Sequence, residues 1–403
     1  MKILVAGGGT GGHIAPIIAV LEKLKAKDKE AKILYVGSKK GLESKIIPKM
    51  DIDFVSIDTG KFRRYHKNKL INIVNPKTVT LNARDLLGAV RGVRDSLSIL
   101  KKFKPESIFI KGGYVSLPVG IAAKILGYPF CIHESDTVPG LSNRILSRWA
   151  KVILVSYPKD FYEEYFDMEK VFYTGTPVRK DLLSGDKGRG LETFSFDKDI
   201  PTILVLGGSQ GSKAINSVVK GSLEDLLYKY QVIHVTGELD FDNIEYLRSK
   251  LPKEMQKRYK VYDFLSAELK DAYAACDLVI ARAGNNVLTE MAALKKPSIL
   301  VPLPSSTGGH QFKNAQIFSR EGAAYLMEES KFDRRTLLNQ VDYLFEHKEE
   351  LKYMSEKVNK FYKDDSTDLI VKKIIEIKID REKDARKKKP KKDALSGQGK
   401  IKE

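Results

Sequence analysis

Short apolar runs alternate with longer amphipathic segments along nearly the whole chain: KILVAG, KILYVG, SIFIKGG, FCIHES, VILVSY, TILVLGG, QVIHVTG, LVIARAG and SILVPLP. Runs this short, rich in β-branched residues and closed by glycine or a polar residue, read as strands buried on both faces, while the segments between them carry apolar residues at helical spacing. Such alternation predicts an α/β chain with parallel sheets covered by helices on both faces. The pattern also repeats. Residues 3–6 run into the glycine loop GGGTGGH, residues 203–206 run into GGSQGSK, and each loop opens a helical segment. Two such openings in 403 residues predict two doubly wound domains facing each other across a cleft. The boundaries read as 1–178 and 179–355, with a helix at about 356–380 packing back on the first domain and a basic, disordered tail at 381–403. Residues 181–201 show little periodicity and read as a linker or surface insertion. A final helical pattern covers 352–380.

Glycine between a strand and a helix lets backbone approach a ligand, and the free N–H groups of the helix start favour phosphate. Gly7, Gly9 and Gly12 satisfy GxGxxG, yet the second strand ends in Gly37-Ser38-Lys39. The carboxylate that would hold an NAD ribose is missing there, and GGSQGSK has the wrong spacing for a P-loop ATPase. Two glycine loops on two domains instead suggest a donor site opposite an acceptor site, the arrangement of a transfer enzyme.

Composition narrows the setting. No apolar stretch approaches the roughly 20 residues of a membrane span, and the first apolar run stops at the glycines, unlike a signal peptide. A cytosolic location is expected. Cys131 and Cys276 sit in apolar contexts without CxxC spacing and read as buried, reduced thiols. The net charge of +18 calls for an anionic partner; the 381–403 tail, with ten Lys/Arg and four Asp/Glu, carries +6 of it. No nucleic-acid motif accompanies the basic residues, so nucleic acid is not expected.

The blocks GGTGGH, KGGYVSLP, HESD, GTPVR, GGSQGSKAIN, RAGNNVLTE and GGHQFKNA follow one another between about residues 3 and 325. In this set and order the chain resembles the MurG family of peptidoglycan N-acetylglucosaminyltransferases. The resemblance implies a GT-B fold, with UDP-N-acetylglucosamine held mostly by the second domain. It implies an acceptor, lipid I (undecaprenyl-diphosphoryl muramyl pentapeptide), held by the first, and inverting transfer to give lipid II. No cofactor and no metal are implied; the DID of 51–53 and the DFD of 240–242 read as solvated loop residues. It also implies a peripheral place on the cytoplasmic face of the inner membrane. The basic segment 61–104, with Leu86, Leu87, Val90, Val93, Leu97 and Leu100 at helical spacing, then reads as a core-facing helix whose basic outer face meets anionic lipid of the inner leaflet.

Carried onto matching positions, the resemblance makes His13 and Glu134 the catalytic candidates. His13 would be the general base or an acceptor-phosphate ligand, and Glu134 a competing base or a group that orients the cleft. Candidates for the donor site are Thr10, Gly11, Gly12, Asp136, Arg179, Ser209, Gln210, Gly211, Leu265, Arg282, Asn285, Asn286, Glu290, His310 and Gln311. Among them Ser209, Gln210 and Gly211 would cradle the pyrophosphate at a helix start, and Arg179 would add a cation. Leu265 would meet the base through its backbone, Glu290 would accept the ribose hydroxyls, and Gln311 would address the sugar. Three departures from the family pattern bear on sugar recognition: Asp136 stands where asparagine is usual, Asn285 and Asn286 where small or apolar residues are, and Gly308-Gly309-His310 replaces a more polar run. Competing readings are a UDP-GlcNAc 2-epimerase-like isomerase, another glycolipid glycosyltransferase, and a basic nucleotide-sugar-binding regulator.

Overall fold

The computed structural model describes residues 1–8, 11–60, 76–208 and 211–387. It contains two wholly parallel sheets. The first has β1 (Lys2–Ala6), β2 (Lys32–Ser38), β3 (Asp53–Ile57), β4 (Ser107–Ile110), β5 (Phe130–Glu134), β6 (Val152–Val155) and β7 (Val171–Tyr173) in the order β3-β2-β1-β4-β5-β6-β7. The second has β8 (Thr202–Leu206), β9 (Gln231–Val235), β10 (Tyr259–Tyr262), β11 (Leu278–Ala281), β12 (Ser298–Leu300) and β13 (Tyr325–Leu326) in the order β10-β9-β8-β11-β12-β13. Each starts in the middle, winds outward, then re-enters beside its first strand. The reversals fall between β1 and β4 and between β8 and β11, and the crevice at the carboxyl ends of such strands is where ligands of doubly wound sheets bind.

Strands β3, β7, β10 and β13 were not legible as apolar runs. They are short and all four carry half-exposed positions, as in the DFVSI of β3. Alternation along the central strands sends Leu4, Ala6, Ile108, Ile110 and Ile132 into one core and Ile3, Val5, Phe109, Cys131 and Leu154 into another. The second core is covered by Ile17, Val20 and Leu24 of helix Gly11–Lys27 and by Ile370, Val371, Ile374 and Ile377 of helix Ser366–Lys387. Each of those four C-terminal side chains, fully buried, contributes on the order of 2 kcal/mol. The C-terminal helix thereby belongs to the first sheet's packing, and the chain crosses between the sheets twice. The segment read as one helical pattern at 352–380 is two helices, Lys348–Asn359 and Ser366–Lys387.

Three local readings are corrected. Residues 181–201 are not a bare linker: Asp186 caps helix Lys187–Phe194 by accepting the Arg189 N–H at 2.9 Å, and this helix packs on Leu269–Ala275. Gly188 and Gly190 hid its periodicity; a Cβ on Gly190 would lie 2.4 Å from the Asp271 carbonyl oxygen. The DFD of 240–242 lies on helix Glu238–Lys250 rather than in a loop, with Asp240 accepting from Asn216 Nδ2 at 2.7 Å. In helix Pro76–Phe103, Leu100 is buried and Val93 and Leu97 are partly so, but Leu87 and Val90 turn outward, 58% and 61% exposed. The side chain of Leu86, residues 61–75 and the tail beyond 387 lie outside the described residues. Both cysteines are buried free thiols.

Candidate functional site

In the first crevice the glycine loop is shaped from beneath. The Tyr35 hydroxyl donates to the Gly7 carbonyl at 2.9 Å. Gly8 has φ 134°, and a Cβ there would lie 2.4 Å from the Glu43 carboxylate, so only glycine fits. Glu43 is fully buried and accepts from the Ser38 N–H at 3.0 Å and the Ser38 hydroxyl at 2.7 Å. A carboxylate therefore does stand beyond β2, but it lies on the short helix Glu43–Ile46 and supports the loop. Looking only at the strand end missed it. Gly11, Gly12 and His13 form the first turn of helix Gly11–Lys27; Thr10 and the His13 side chain lie outside the described residues.

Glu134 ends β5, and both its oxygens are occupied. One accepts the N–H groups of Ser135 at 2.8 Å and Asp136 at 3.0 Å; the other accepts Gly140 N–H at 3.0 Å and Asn143 Nδ2 at 2.9 Å. Burial raises its pKa, the Asp136 charge adds to this, and the hydrogen bonds pull against it. A carboxylate with this many donors organises the 135–143 loop.

Just after the neighbouring strand β4, Lys111 is 2% exposed, with its ammonium 2.7 Å from His133 Nδ1 and donating to the Ser135 hydroxyl. His133 Nε2 lies 2.9 Å from the Gly175 carbonyl. A carbonyl only accepts, so Nε2 carries the proton and Nδ1 accepts from Lys111. Burial, then the Lys111 charge, push the imidazole well below its ordinary pKa and keep it neutral. Burial brings Lys111 down to about 8, against the opposing pull of Glu134 and Asp136.

In the second crevice, Gly211 has φ 76°, and a Cβ there would sit 2.1 Å from the Thr236 carbonyl oxygen. The helix begins at Lys213, with Ser212 as its N-cap accepting the Ile215 N–H at 3.3 Å. It therefore starts later than the sequence reading put it, and Ser212 is the residue that caps it. Ser209 and Gln210 lie outside the described residues.

The structure brings Arg179, Leu265 and Glu290 together. Arg179 Nη2 pairs with Asp181 at 3.0 Å and reaches the Ser266 carbonyl, next to buried Leu265, at 3.5 Å, while its buried Nε has no partner. Glu290 Oε2 accepts the Tyr273 hydroxyl at 2.9 Å. Burial pushes Glu290 up to about 7, while the Tyr273 bond and the Arg179 charge draw it down. Arg282 is not part of this cluster: its guanidinium donates to the Val301 carbonyl at 3.0 Å and pairs with Glu329 at 2.6 Å, joining β11 to the domain's own interior. Gln311 Oε1 accepts the Leu303 N–H at 2.9 Å, shaping the loop that leads through Gly308 and Gly309 to His310, the first residue of helix His310–Arg320.

Several candidates join the two domains directly. Fully buried Asn314 donates to Asp136 Oδ1 at 3.0 Å and accepts the Thr137 hydroxyl at 2.9 Å and N–H at 3.3 Å. Asn285, at the start of helix Asn285–Ala293, donates to Thr176 Oγ1 at 2.9 Å. The side-chain oxygens of Asn285 and Asn286 are buried and unpartnered, acceptors facing no donor. Asn314 and Thr137 were missed as site residues although both lie in or beside quoted blocks. A buried amide bridging two domains has no spacing signature.

Two doubly wound domains, each with a glycine-loop crevice opening toward the other, define the GT-B architecture of nucleotide-sugar transferases. Residues 3–155 match the glycosyltransferase family 28 N-terminal domain and residues 202–370 the family 28 C-terminal domain. The chain belongs to glycosyltransferase family 28, within its MurG-type N-acetylglucosaminyltransferases. It is 37% identical over 348 residues to the UDP-N-acetylglucosamine–N-acetylmuramyl-(pentapeptide) pyrophosphoryl-undecaprenol N-acetylglucosamine transferase of Clostridium botulinum, covering 86% of this chain and 92% of the relative. With the protein of the same description from Lachnoclostridium phytofermentans it shares 36% over 380 residues, 94% of this chain and 99% of the relative. Among solved structures, MurG of Acinetobacter baumannii superposes with a TM-score of 0.70 at 25% identity, covering 93% of this chain and 99% of that one. The UDP-GlcNAc 2-epimerase of Neisseria meningitidis bound to UDP-GlcNAc gives 0.64 at 14% identity, covering 93% and 100%, a likeness of fold alone.

Proposed function

We propose that this chain moves N-acetylglucosamine from UDP-GlcNAc to lipid I with inversion, forming lipid II, while resting on the anionic inner leaflet. The observation that carries the donor half is the cluster of Arg179, Leu265 and Glu290. Glu290 accepts the ribose hydroxyls, the loop and helix start around Gly211 hold the pyrophosphate, and the free Arg179 Nε–H adds a donor toward the departing UDP. The unpartnered oxygens of Asn285 and Asn286 accept from the sugar. The acceptor hydroxyl attacks the anomeric carbon as the bond to UDP breaks; His13, at the start of helix Gly11–Lys27, takes the hydroxyl proton. Glu134 holds the loop that carries Asp136 and Thr137.

No helix among the described residues is long and apolar enough to cross a membrane. Leu87 and Val90, exposed beside Arg91 and Arg94 on helix Pro76–Phe103, form the surface that meets lipid. Label from UDP-[¹⁴C]GlcNAc should enter the butanol-extractable lipid only when lipid I is supplied. Label recovered instead in an isomerised nucleotide sugar, with or without lipid I, would move the assignment to the epimerase reading.

A further inference from the structure

The buried ammonium of Lys111 is not used by the chemistry above, yet it sits where both connections between the domains begin. It donates to the Ser135 hydroxyl, on the loop whose next two residues, Asp136 and Thr137, are bonded to Asn314 of the second domain. It also donates to His133, which passes the constraint to the Gly175 carbonyl, one residue before Thr176, the partner of Asn285. Gly175 has φ 75° and opens the first crossing between the sheets. We propose that Lys111 is a positioning residue for sugar transfer: one buried cation fixes both the loop that clasps the second domain and the linker on which that domain turns. The inference rests on the transfer reaction proposed above.

A lysine is suited to this place for a geometric reason. Ser135, on the loop, and His133, on β5, both present acceptors, and three N–H groups on one small centre reach both at once, whereas a methionine offers no donor. Among the described residues the charged and titratable groups that face it are His133 and Glu134 on β5 and Asp136 just beyond it. His133 stays neutral across the working range, so the charge state of the cluster changes chiefly at the lysine. Burial lowers Lys111 to about 8; the ammonium is therefore present below that pH and lost above it.

The test compares full-length wild type, Lys111→Met and Ser135→Ala in turnover with UDP-GlcNAc and lipid I across pH 6.5–9.5, with melting temperature recorded at each pH. Wild type should lose kcat/KM as pH rises through about 8. Lys111→Met should be at least tenfold slower at pH 7 and lack that alkaline limb. Ser135→Ala, a small change that removes an acceptor of the ammonium, should fold as wild type and move the limb to lower pH. Lys111→Met with wild-type kcat/KM, or an unmoved limb in Ser135→Ala, overturns the inference while leaving wild-type transfer intact. Failure of wild type itself to turn over lipid I would instead remove the reaction on which it rests.

Discussion

Replacing Asn314 by alanine removes the side chain that bridges the domains at the centre of the cleft. The Thr137 hydroxyl and the Asp136 carboxylate each lose a partner, at 2.9 and 3.0 Å; the 3.3 Å contact to the Thr137 N–H is too long to weigh equally. A neutral bond is worth about 1 kcal/mol and one to a charged group about 1.5–3 kcal/mol. Asp136 is only half-buried, which places its bond at the lower end. The sum, about 2.5 kcal/mol, lowers the population with the domains clasped by roughly fiftyfold to a hundredfold, since 1.4 kcal/mol is tenfold. Steady-state UDP release with saturating lipid I reads this as a fall in kcat/KM for UDP-GlcNAc. Asn314→Asp should be at least as damaging, because it keeps an acceptor for Thr137 but sets two carboxylates against each other. Thermal unfolding separates loss of the clasp from loss of the fold. A kcat/KM within threefold of wild type, in a protein that melts normally, would refute the view that this contact sets the reactive arrangement.

Other perturbations have equally definite outcomes. Glu134→Gln turns an NH₂ group against N–H donors and should destabilise the fold by about 1–3 kcal/mol in denaturant titration; a large loss of kcat with unchanged stability would instead mark Glu134 as the base. Gly8→Ala, with φ 134° and a Cβ 2.4 Å from the Glu43 carboxylate, should cost about 1–3 kcal/mol or more and abolish turnover, and an active variant of normal stability would contradict the loop geometry. For Glu290 the folded pKa of about 7 exceeds the ordinary value of 4.5, so its contribution to stability is fully present below the unfolded pKa and lost as pH rises toward 7. Glu290→Gln should flatten that part of the stability curve and raise KM for UDP-GlcNAc. A Leu87→Ser/Val90→Ser double variant should keep turnover of detergent-solubilised lipid I but lose co-sedimentation with phosphatidylglycerol vesicles; undiminished sedimentation would place the lipid contact elsewhere.

The architecture was legible because it depends on repeated local signals. Central strands such as 3–6 and 203–206 are apolar on both faces, and the glycine loops mark the places where backbone must turn sharply under a helix. What escaped the sequence reading has a common physical origin in contacts made at a distance. β3 and β13 are short edge strands, helix Lys187–Phe194 carries Gly190 where it packs closely on its neighbour, and Glu43 supports a loop 35 residues before it in sequence. The site was legible to a similar degree. Arg179, Leu265 and Glu290 come from the crossing after β7, the loop after β10 and helix Asn285–Ala293, elements that only the fold brings together. Arg282, read from the same block as Glu290, points instead toward Glu329, because it directly follows β11 whereas Glu290 lies on the next helix, Asn285–Ala293. Lys111, His133 and Asn314 carried no signal: buried polar groups are recognised by their partners, which only the fold supplies.

The most direct measurement is UDP release from UDP-GlcNAc in EDTA, with and without lipid I, with the lipid product weighed by mass spectrometry. Release that requires lipid I, together with gain of one N-acetylhexosamine on the lipid, is the expected result. UDP release or sugar isomerisation that proceeds equally without lipid I would contradict it.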